Sequence, residues 1–194
     1  MLPATELAVR LGCQMHHREL RGGWLPVHDE NMATSVAGVF VAGEIAGIGG
    51  GDVAIAEGTL AGRSVAAELG VPGDVSALRA RCLAERGATD AMVRAFPVRP
   101  GLYDLIQSDT LVCRCEDVTM AEVEQASRAC GNDVRSVKLA TRAGMGPCQA
   151  RICHRIIGGI LQARLGSSER PTPCHSIQVP IKPVALRTIV KAIR

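Results

Sequence analysis

The chain has 194 residues, enough for one ordinary domain or two small ones. Hydrophobic residues make up 47% of it and aromatic residues only 2%. This composition excludes a largely disordered chain, and it offers few aromatic platforms for single-stranded nucleic acid. The net charge of +3 comes from scattered arginines without a basic stripe, which also argues against nucleic-acid binding.

The sequence contains no apolar run long enough to cross a bilayer, so we expect no membrane span. The stretch from Met1 to Arg10 includes Glu6 and lacks the apolar centre of a secretion signal. We therefore expect a cytoplasmic protein. Eight cysteines in that compartment are more typical of metal ligands, redox groups or buried small residues than of disulfides.

Residues 1–72 alternate strand-like and helix-like stretches and form the first predicted segment. The apolar, β-branched run Val36–Val41 predicts a buried strand that leads into Gly43 and Glu44. The glycine-rich stretch Gly47–Gly51 follows. A helix is predicted from about Val53 to Leu69, and its small residues would allow close packing on a sheet.

Residues 73–105 have the pattern of an amphipathic helix interrupted by prolines and are predicted to link two units. Residues 106–168 form the second predicted unit. In it, Thr119-Met-Ala-Glu122 is typical of a capping box and predicts a helix to about Cys130.

The rest of the second unit is predicted to contain two further elements and a tail. A short element is expected at Val134 to Ala140. A last helix is expected from Cys148 to Leu165, with Pro147 at its start. Residues 169–194 contain four prolines and are predicted to form an extended tail with a short C-terminal helix.

Four cysteines occur as two close pairs, Cys113-x-Cys115 and Cys148-x4-Cys153. The pattern suits a four-thiolate site, and the alternatives are zinc, a [2Fe–2S] cluster, a [4Fe–4S] cluster or buried structural cysteines. Zinc ribbons and fingers usually present Cys-x2-Cys, a spacing that neither pair has. A two-iron cluster instead takes a separate pair of thiolates at each iron, so the two pairs need not match.

Helix geometry limits where the second cysteine pair can lie. Five residues turn a helix by about 500°, so Cys148 and Cys153 can face one cluster only if Cys148 lies in the cap or the preceding loop. Gly144 and Gly146 would provide that loop. Positive side chains close in sequence would suit an anionic cluster, namely those of Arg114, Lys138, Arg142 and Arg151. The other cysteines are predicted to be structural: Cys13, Cys82, Cys130 and Cys174.

Two stretches of the second unit resemble a known family of iron–sulfur domains. Val112–Thr119 (VCRCEDVT) and Lys138–Gln149 (KLATRAGMGPCQ), followed by Cys153, resemble the [2Fe–2S] domain related to bacterioferritin-associated ferredoxin. The Cys-x4-Cys spacing is similar to the version fused to flavoproteins, of the type found in the A subunit of opine oxidase, the B subunit of cyanide synthase and the alpha chain of amino-acid dehydrogenases. The tail Gln178–Val184 (QVPIKPV) resembles the end of those proteins.

The stretch from Leu20 to Glu44 resembles the last part of an FAD-binding domain of the pyridine-nucleotide-disulfide oxidoreductase type, and Thr34–Glu44 (TSVAGVFVAGE) corresponds to its hallmark. In that family a strand ends in Gly-Asp, and the acid hydrogen-bonds a ribityl hydroxyl of FAD. The resemblance implies that Gly43 and Glu44 contact FAD, with Glu44 retaining the acceptor of the usual Asp. The opening Gly-x-Gly-x-x-Gly of such domains is missing from the sequence, so we expect the FAD site to be incomplete in this chain.

Together these features predict an α+β chain in which a partial α/β FAD-binding segment is followed by a small, mainly helical [2Fe–2S] domain and an extended tail. The resemblance implies the electron-transfer part of a flavin-dependent amine or amino-acid oxidoreductase acting on opine-, proline- or glycine-like substrates. The implied partners are other oxidoreductase subunits or a missing nucleotide-binding half. No side chain qualifies as a general base, so no catalytic residue is assigned. The alternatives are a stand-alone ferredoxin-like protein that docks on a flavoprotein and a structural zinc module.

Overall fold

A computed structural model describes residues 3–71, 73–97, 99, 101–167, 177 and 179–193. The chain divides into two compact units, of which the first extends to Ile106 and the second begins at Gln107. Helices dominate both units, and each has one two-stranded antiparallel sheet. The predicted α+β class is therefore confirmed. Among the described residues, no helix is both long and apolar enough to cross a membrane.

The first unit is organised around two long helices and a β-hairpin. Its elements in chain order are α1 (Glu6–Arg10), β1 (Met15–Arg18), β2 (Gly23–Pro26), α2 (Gly50–Glu68), α3 (Ser76–Ala95) and α4 (Gly101–Asp104). Strands β1 and β2 pair from Met15 opposite Pro26 to Arg18 opposite Gly23. The hairpin can reverse between them because Gly22 and Gly23 adopt φ values of +105° and +106°, which favour glycine.

The core of the first unit lies between α2, α3 and the loop that precedes α2. Ala56 and Leu60 of α2 form a buried cluster with Cys82 of α3 and with Met32 and Val41 of the loop. The spacing of four residues on α2 places its apolar side chains on one helix face. Helix α2 confirms the helix predicted in this region, and it begins three residues earlier than expected. Helix α3 packs against α2 within the same unit.

Residues 36–41 do not form the predicted strand. The segment turns back on itself, with the Val39 N–H donating to the Val36 carbonyl at 3.1 Å. A strand needs a neighbour to receive its regular backbone hydrogen bonds. Within the part of the chain that the structure describes, the segment has only an isolated bridge between Ala33 and Phe40. The prediction was wrong because an apolar, β-branched run indicates burial and does not show whether a pairing strand is present.

In its described residues, the second unit consists of a small sheet and four helices. Its elements are β3 (Leu111–Cys113), β4 (Val118–Thr119), α5 (Met120–Cys130), α6 (Val134–Thr141), α7 (Cys153–Leu165) and α8 (Leu186–Ile193). Helices α5, α6 and α7 contact one another and bury an aliphatic core. Five side chains of these helices are each 0% exposed, namely those of Met120, Val123, Val137, Ile157 and Ile160.

The predicted capping box at the start of α5 is confirmed. The Thr119 N–H donates to Glu122 Oε2 at 2.7 Å, and the Glu122 N–H donates to Thr119 Oγ1 at 3.4 Å. Gly131 follows the last residue of the helix, as expected. The short predicted element is helix α6, whose first turn is capped by the Asp133 carboxylate accepting from the Ser136 N–H at 2.8 Å.

Helix α7 begins five residues later than the predicted start at Cys148. Gln149 and Ala150 adopt φ values of +52° and +66°, which a right-handed helix cannot contain. The predicted helix end at Leu165 is confirmed. Of the predicted tail, residues 169–176 (with Cys174), 178 and 194 lie outside the described residues, while 186–193 form α8.

We expect Thr119→Ala to destabilise the second unit by about 1 kcal/mol, because the first turn of α5 loses its capping acceptor. Urea unfolding followed by circular dichroism measures the change. Gln125→Ala, within the same helix and away from its cap, is the matched control and should leave stability nearly unchanged. Equal stability of the two variants would contradict the importance of the cap.

Candidate metal centre and flavin-contact loop

Two of the four predicted cluster ligands lie in loops of the second unit, and the other two lie at the end of a strand and at the start of a helix. Cys113 is the last residue of β3, and Cys115 lies in the turn before β4. Cys148 lies in the loop before α7, and Cys153 is the first residue of that helix. Cys148 therefore occupies a loop position of the kind that helix geometry required for both thiols of the second pair to face one point.

The fold brings the two sequence pairs together crosswise. The thiol of Cys113 lies within hydrogen-bonding range of Cys153, and that of Cys115 within range of Cys148. Cys148 also interacts electrostatically with Cys153, as Cys113 does with Cys115. All four thiols are free. The structure thus brings the four predicted ligands near one another as interacting pairs.

The four thiols lie as two interacting pairs. A core with two irons takes two thiolates at each iron, so four thiols are the donor set that such a core requires. Among the described residues, no three His, Cys, Asp or Glu side chains are grouped closely enough to hold a single metal ion. The donor set fits a two-iron cluster by the number and kind of its ligands.

The site has a buried side and an exposed side. Cys113 and Cys153 are each 1% exposed. Cys148 is half-buried, and Cys115 is exposed to solvent. A cluster held by these thiols would be shielded from water on one side and would be reachable by a redox partner on the other.

Backbone N–H groups surround the sulfur of Cys113. Burial alone would raise the pKa of this thiol, but hydrogen bonds from the N–H groups of Gly144, Glu116 and Cys115 bring its pKa below the ordinary thiol value. Donors of this kind stabilise a thiolate, and hydrogen bonds to ligand sulfurs are one of the factors that set the reduction potential of an iron–sulfur cluster. The loop is therefore built to hold a negatively charged sulfur at Cys113.

Cys153 differs from Cys113 because fewer backbone hydrogen bonds offset the effect of burial on its pKa. Burial, followed by the negative charge of Cys113, raises the pKa of Cys153 to about 12. Without a metal this thiol keeps its proton at neutral pH. A bound metal would replace that proton and supply the positive charge that a buried thiolate needs.

Gly146 allows the loop before Cys148 to pass directly over Cys115. A Cβ atom at Gly146 would lie 2.3 Å from Cys115 Cβ and 3.4 Å from Cys115 Cα. Such a distance is a severe clash, so the position requires glycine. The sequence indicated only that Gly144 and Gly146 form a loop. The requirement at Gly146 became visible only from the packing of two chain segments.

Two of the positive side chains predicted to lie near the cluster contact the ligand loops. Arg142 Nε donates to Glu116 Oε2 at 2.9 Å, beside the Cys113–Cys115 turn. Arg151 Nη1 donates to the Cys148 carbonyl at 3.4 Å. Because the Arg142 side chain is 69% exposed, its ion pair adds little to stability. Its charge remains close to the proposed cluster ligands.

In the first unit, the predicted flavin residues lie in a 3-10 turn, Gly43–Ala46, just before α2. Gly43 adopts a φ of +73°, and the carboxylate of Glu44 points towards the start of α2. Glu44 Oε1 accepts from the N–H groups of Gly49 and Gly50 at 3.3 and 3.1 Å. One carboxylate oxygen thereby satisfies two N–H groups at the start of α2.

The second carboxylate oxygen of Glu44, Oε2, is buried and has no hydrogen-bond partner among the residues that the structure describes. A buried polar atom left unpaired costs free energy, so such atoms usually have a partner in the working protein. A ligand hydroxyl would supply the missing donor. The residues present therefore fit the contact with a ribityl hydroxyl that the resemblance implies for Glu44.

Glu57 and Arg86 also belong to this region, although no sequence pattern pointed to them. They form a buried ion pair between α2 and α3, and both contact the turn that contains Glu44. Charged residues in amphipathic helices usually face water, which is why the pattern did not single them out. The glycine-rich stretch after Glu44 was the one signal that could have found them, because it indicates close approach to a neighbouring group.

We expect Gly146→Ala to lower the amount of iron and acid-labile sulfide bound per chain, because the new Cβ must displace Cys115. Gly158→Ala is the matched control, since a Cβ there would meet only Val134 Cγ2 at 3.9 Å. Both metal and sulfide are measured on anaerobically reconstituted protein. Normal cluster content in Gly146→Ala would show that the loop does not pass over Cys115.

A comparison with protein-family models places the cysteines in a recognised domain. Residues 111–163 match the BFD-like [2Fe–2S] binding domain. The matched range contains the ligands predicted at Cys113, Cys115, Cys148 and Cys153. It falls entirely within the second unit.

Relatives of known name are similar over most of this chain. The A subunit of opine oxidase from Rhizobium meliloti (strain 1021) is 38% identical over 192 residues, which cover 96% of this chain and 41% of that protein. The HcnB subunit of hydrogen cyanide synthase from Pseudomonas protegens is 32% identical over 162 residues, covering 78% of this chain and 34% of that protein. The chain therefore spans less than half the length of these relatives.

A solved structure has a similar fold. The crystal structure of L-proline dehydrogenase from P. horikoshii matches with a TM-score of 0.67 and 25% sequence identity. The match covers 95% of this chain and 36% of that protein. By their names, the oxidase and the dehydrogenase are oxidoreductases, which agrees with a cluster and a flavin as the cofactors. The chain is thus similar to the C-terminal part of flavin oxidoreductases, and its residues 111–163 match the BFD-like [2Fe–2S] binding domain.

Proposed function

We propose that this chain is the electron-transfer part of a flavin-dependent oxidoreductase that acts on amines or amino acids. The observation that carries the proposal is the meeting of four free thiols, from two separate loops, at one partly exposed place. The names of two similar proteins, an opine oxidase and an L-proline dehydrogenase, support opine- or proline-like substrates.

In this proposal Cys113, Cys115, Cys148 and Cys153 hold a [2Fe–2S] cluster, which carries one electron at a time when bound. The buried thiols of Cys113 and Cys153 keep water from one side of the site. The exposed Cys115 leaves the other side open to an electron donor or acceptor. Backbone N–H groups stabilise the thiolate of Cys113.

Gly43 and Glu44 are proposed to contact FAD. The unpaired Glu44 Oε2 would accept a hydrogen bond from a flavin hydroxyl, while Oε1 stays on the N-terminus of α2. The remainder of the FAD site would come from a nucleotide-binding half or a partner protein. The relatives named as subunits support such an assembly.

The cluster is tested by anaerobic reconstitution with iron and sulfide. We expect equal amounts of iron and acid-labile sulfide, visible absorption that bleaches with dithionite, and an electron paramagnetic resonance signal after reduction. Cys115→Ser and Cys153→Ser should lose most of the cluster. Cys130→Ser, which alters an exposed cysteine at the end of α5, should keep it. Bound zinc without iron or sulfide would favour the structural zinc alternative.

The flavin contact is tested with Glu44→Gln. The amide oxygen can still accept from Gly49 and Gly50, but the amide nitrogen replaces the oxygen proposed to face the flavin. We expect the FAD affinity of the chain assembled with its nucleotide-binding half or partner, measured by flavin fluorescence titration, to fall about tenfold, the value of one charge-assisted hydrogen bond. Glu68→Gln, at an exposed position of α2, is the control. Equal affinity of the Glu44→Gln variant and the unaltered chain would contradict the flavin role of Glu44.

A further inference from the structure

The first unit contains a buried ion pair that takes no part in the proposed cluster or flavin contacts. Glu57 of α2 is 3% exposed and Arg86 of α3 is 7% exposed. Arg86 Nε donates to Glu57 Oε1 at 2.5 Å, and Nη2 donates to Oε2 at 2.9 Å. Apolar residues of similar size would often stabilise a helix–helix contact at least as well, because burying two charges costs desolvation energy. Stability alone therefore does not explain the pair.

In the described part of the chain, the remaining hydrogen bonds of the pair go to the segment Gly43–Ile48, which contains the turn before α2. Arg86 Nη1 donates to the Gly47 carbonyl at 2.6 Å, and Nη2 approaches the Gly43 carbonyl at 3.4 Å. The Gly43 N–H donates to Glu57 Oε2 at 2.9 Å. Only arginine offers several donors in a rigid planar fork that can serve a carboxylate and two carbonyls together. Both ends of the turn are thus attached to one buried group.

The guanidinium also lies directly against the glycine-rich stretch. A Cβ atom at Gly49 would be 2.7 Å from Arg86 Nη1, and one at Gly47 would be 3.3 Å from it. The backbone can approach the charged group only because these residues lack side chains. The glycines that the sequence analysis noted are therefore explained in part by Arg86.

Glu44 lies between the two attached ends of the turn. Its backbone is held through Gly43 and Gly47, and its carboxylate reaches the helix start at Gly50. We propose that Glu57 and Arg86 are positioning residues that hold Glu44, so that its free oxygen faces the flavin. The inference rests on the proposed flavin contact of Glu44 and extends it to two residues that do not touch the flavin themselves.

The test uses the double variant Glu57→Leu/Arg86→Met, which removes both charges together and leaves no unpaired buried charge. Amide hydrogen exchange of Gly49 and Gly50 is the main measurement. Their N–H groups are bonded to Glu44 and not to the ion pair, so they report the position of Glu44. This measurement does not require FAD.

We expect the double variant to keep its helical content and cluster while Gly49 and Gly50 exchange about tenfold faster or more. FAD affinity should fall to the level of Glu44→Gln, and adding Glu44→Gln should weaken binding little further, since the changes act through one contact. Arg79→Met is the matched control on α3. Arg79 bonds Asn31 and Glu30, away from this turn, and its loss should leave both measurements unchanged.

A folded double variant with unaltered exchange at Gly49 and Gly50 would overturn the positioning role. If the double variant does not fold, Arg86→Lys replaces it, since lysine keeps the charge pair but loses the fork; unaltered exchange in that variant would overturn the role equally. Faster exchange together with wild-type FAD affinity in Glu44→Gln would support the positioning of Glu44 and contradict its proposed flavin contact. The two proposals therefore fail by different results.

Discussion

The close passage of the Gly146 loop over Cys115 is the contact on which the proposed metal centre of the second unit depends. It brings Cys148 to Cys115, and helix α7 then places Cys153 beside Cys113. The two left-handed residues after Cys148 delay the start of the helix, so that both thiols can face the same place. A side chain at Gly146 would separate the two pairs of proposed ligands, whatever their affinity for metal.

The first unit uses another solution to hold a functional loop. There the Glu57–Arg86 pair, buried between two helices, provides hydrogen bonds to the backbone on both sides of Glu44. In both units glycine permits a close approach, to a cysteine in one and to a guanidinium in the other. In each unit, the residue proposed to contact the cofactor is held in place by neighbouring residues that need not contact the cofactor themselves.

Local signals in the sequence predicted much of the fold. The Thr119/Glu122 capping box fixed the start of α5, because both partners lie within a single helical turn. The strand expected at Val36–Val41 was wrong, since its formation depends on a pairing strand elsewhere. The start of α7 was also displaced, because the positive φ values of Gln149 and Ala150 follow from loop packing and not from residue preference.

The sequence by itself determined the chemical character of the chain, because four cysteines in two unequal pairs restrict the kinds of centre that could form. Comparison with known proteins supports that interpretation for residues 111–163. Only the tertiary structure decided which thiols meet, which of them are buried, and that Glu44 places one oxygen at a helix end and the other in a buried position without a hydrogen-bond partner among the described residues. These properties depend on contacts between residues far apart in the chain, and no local pattern encodes such contacts.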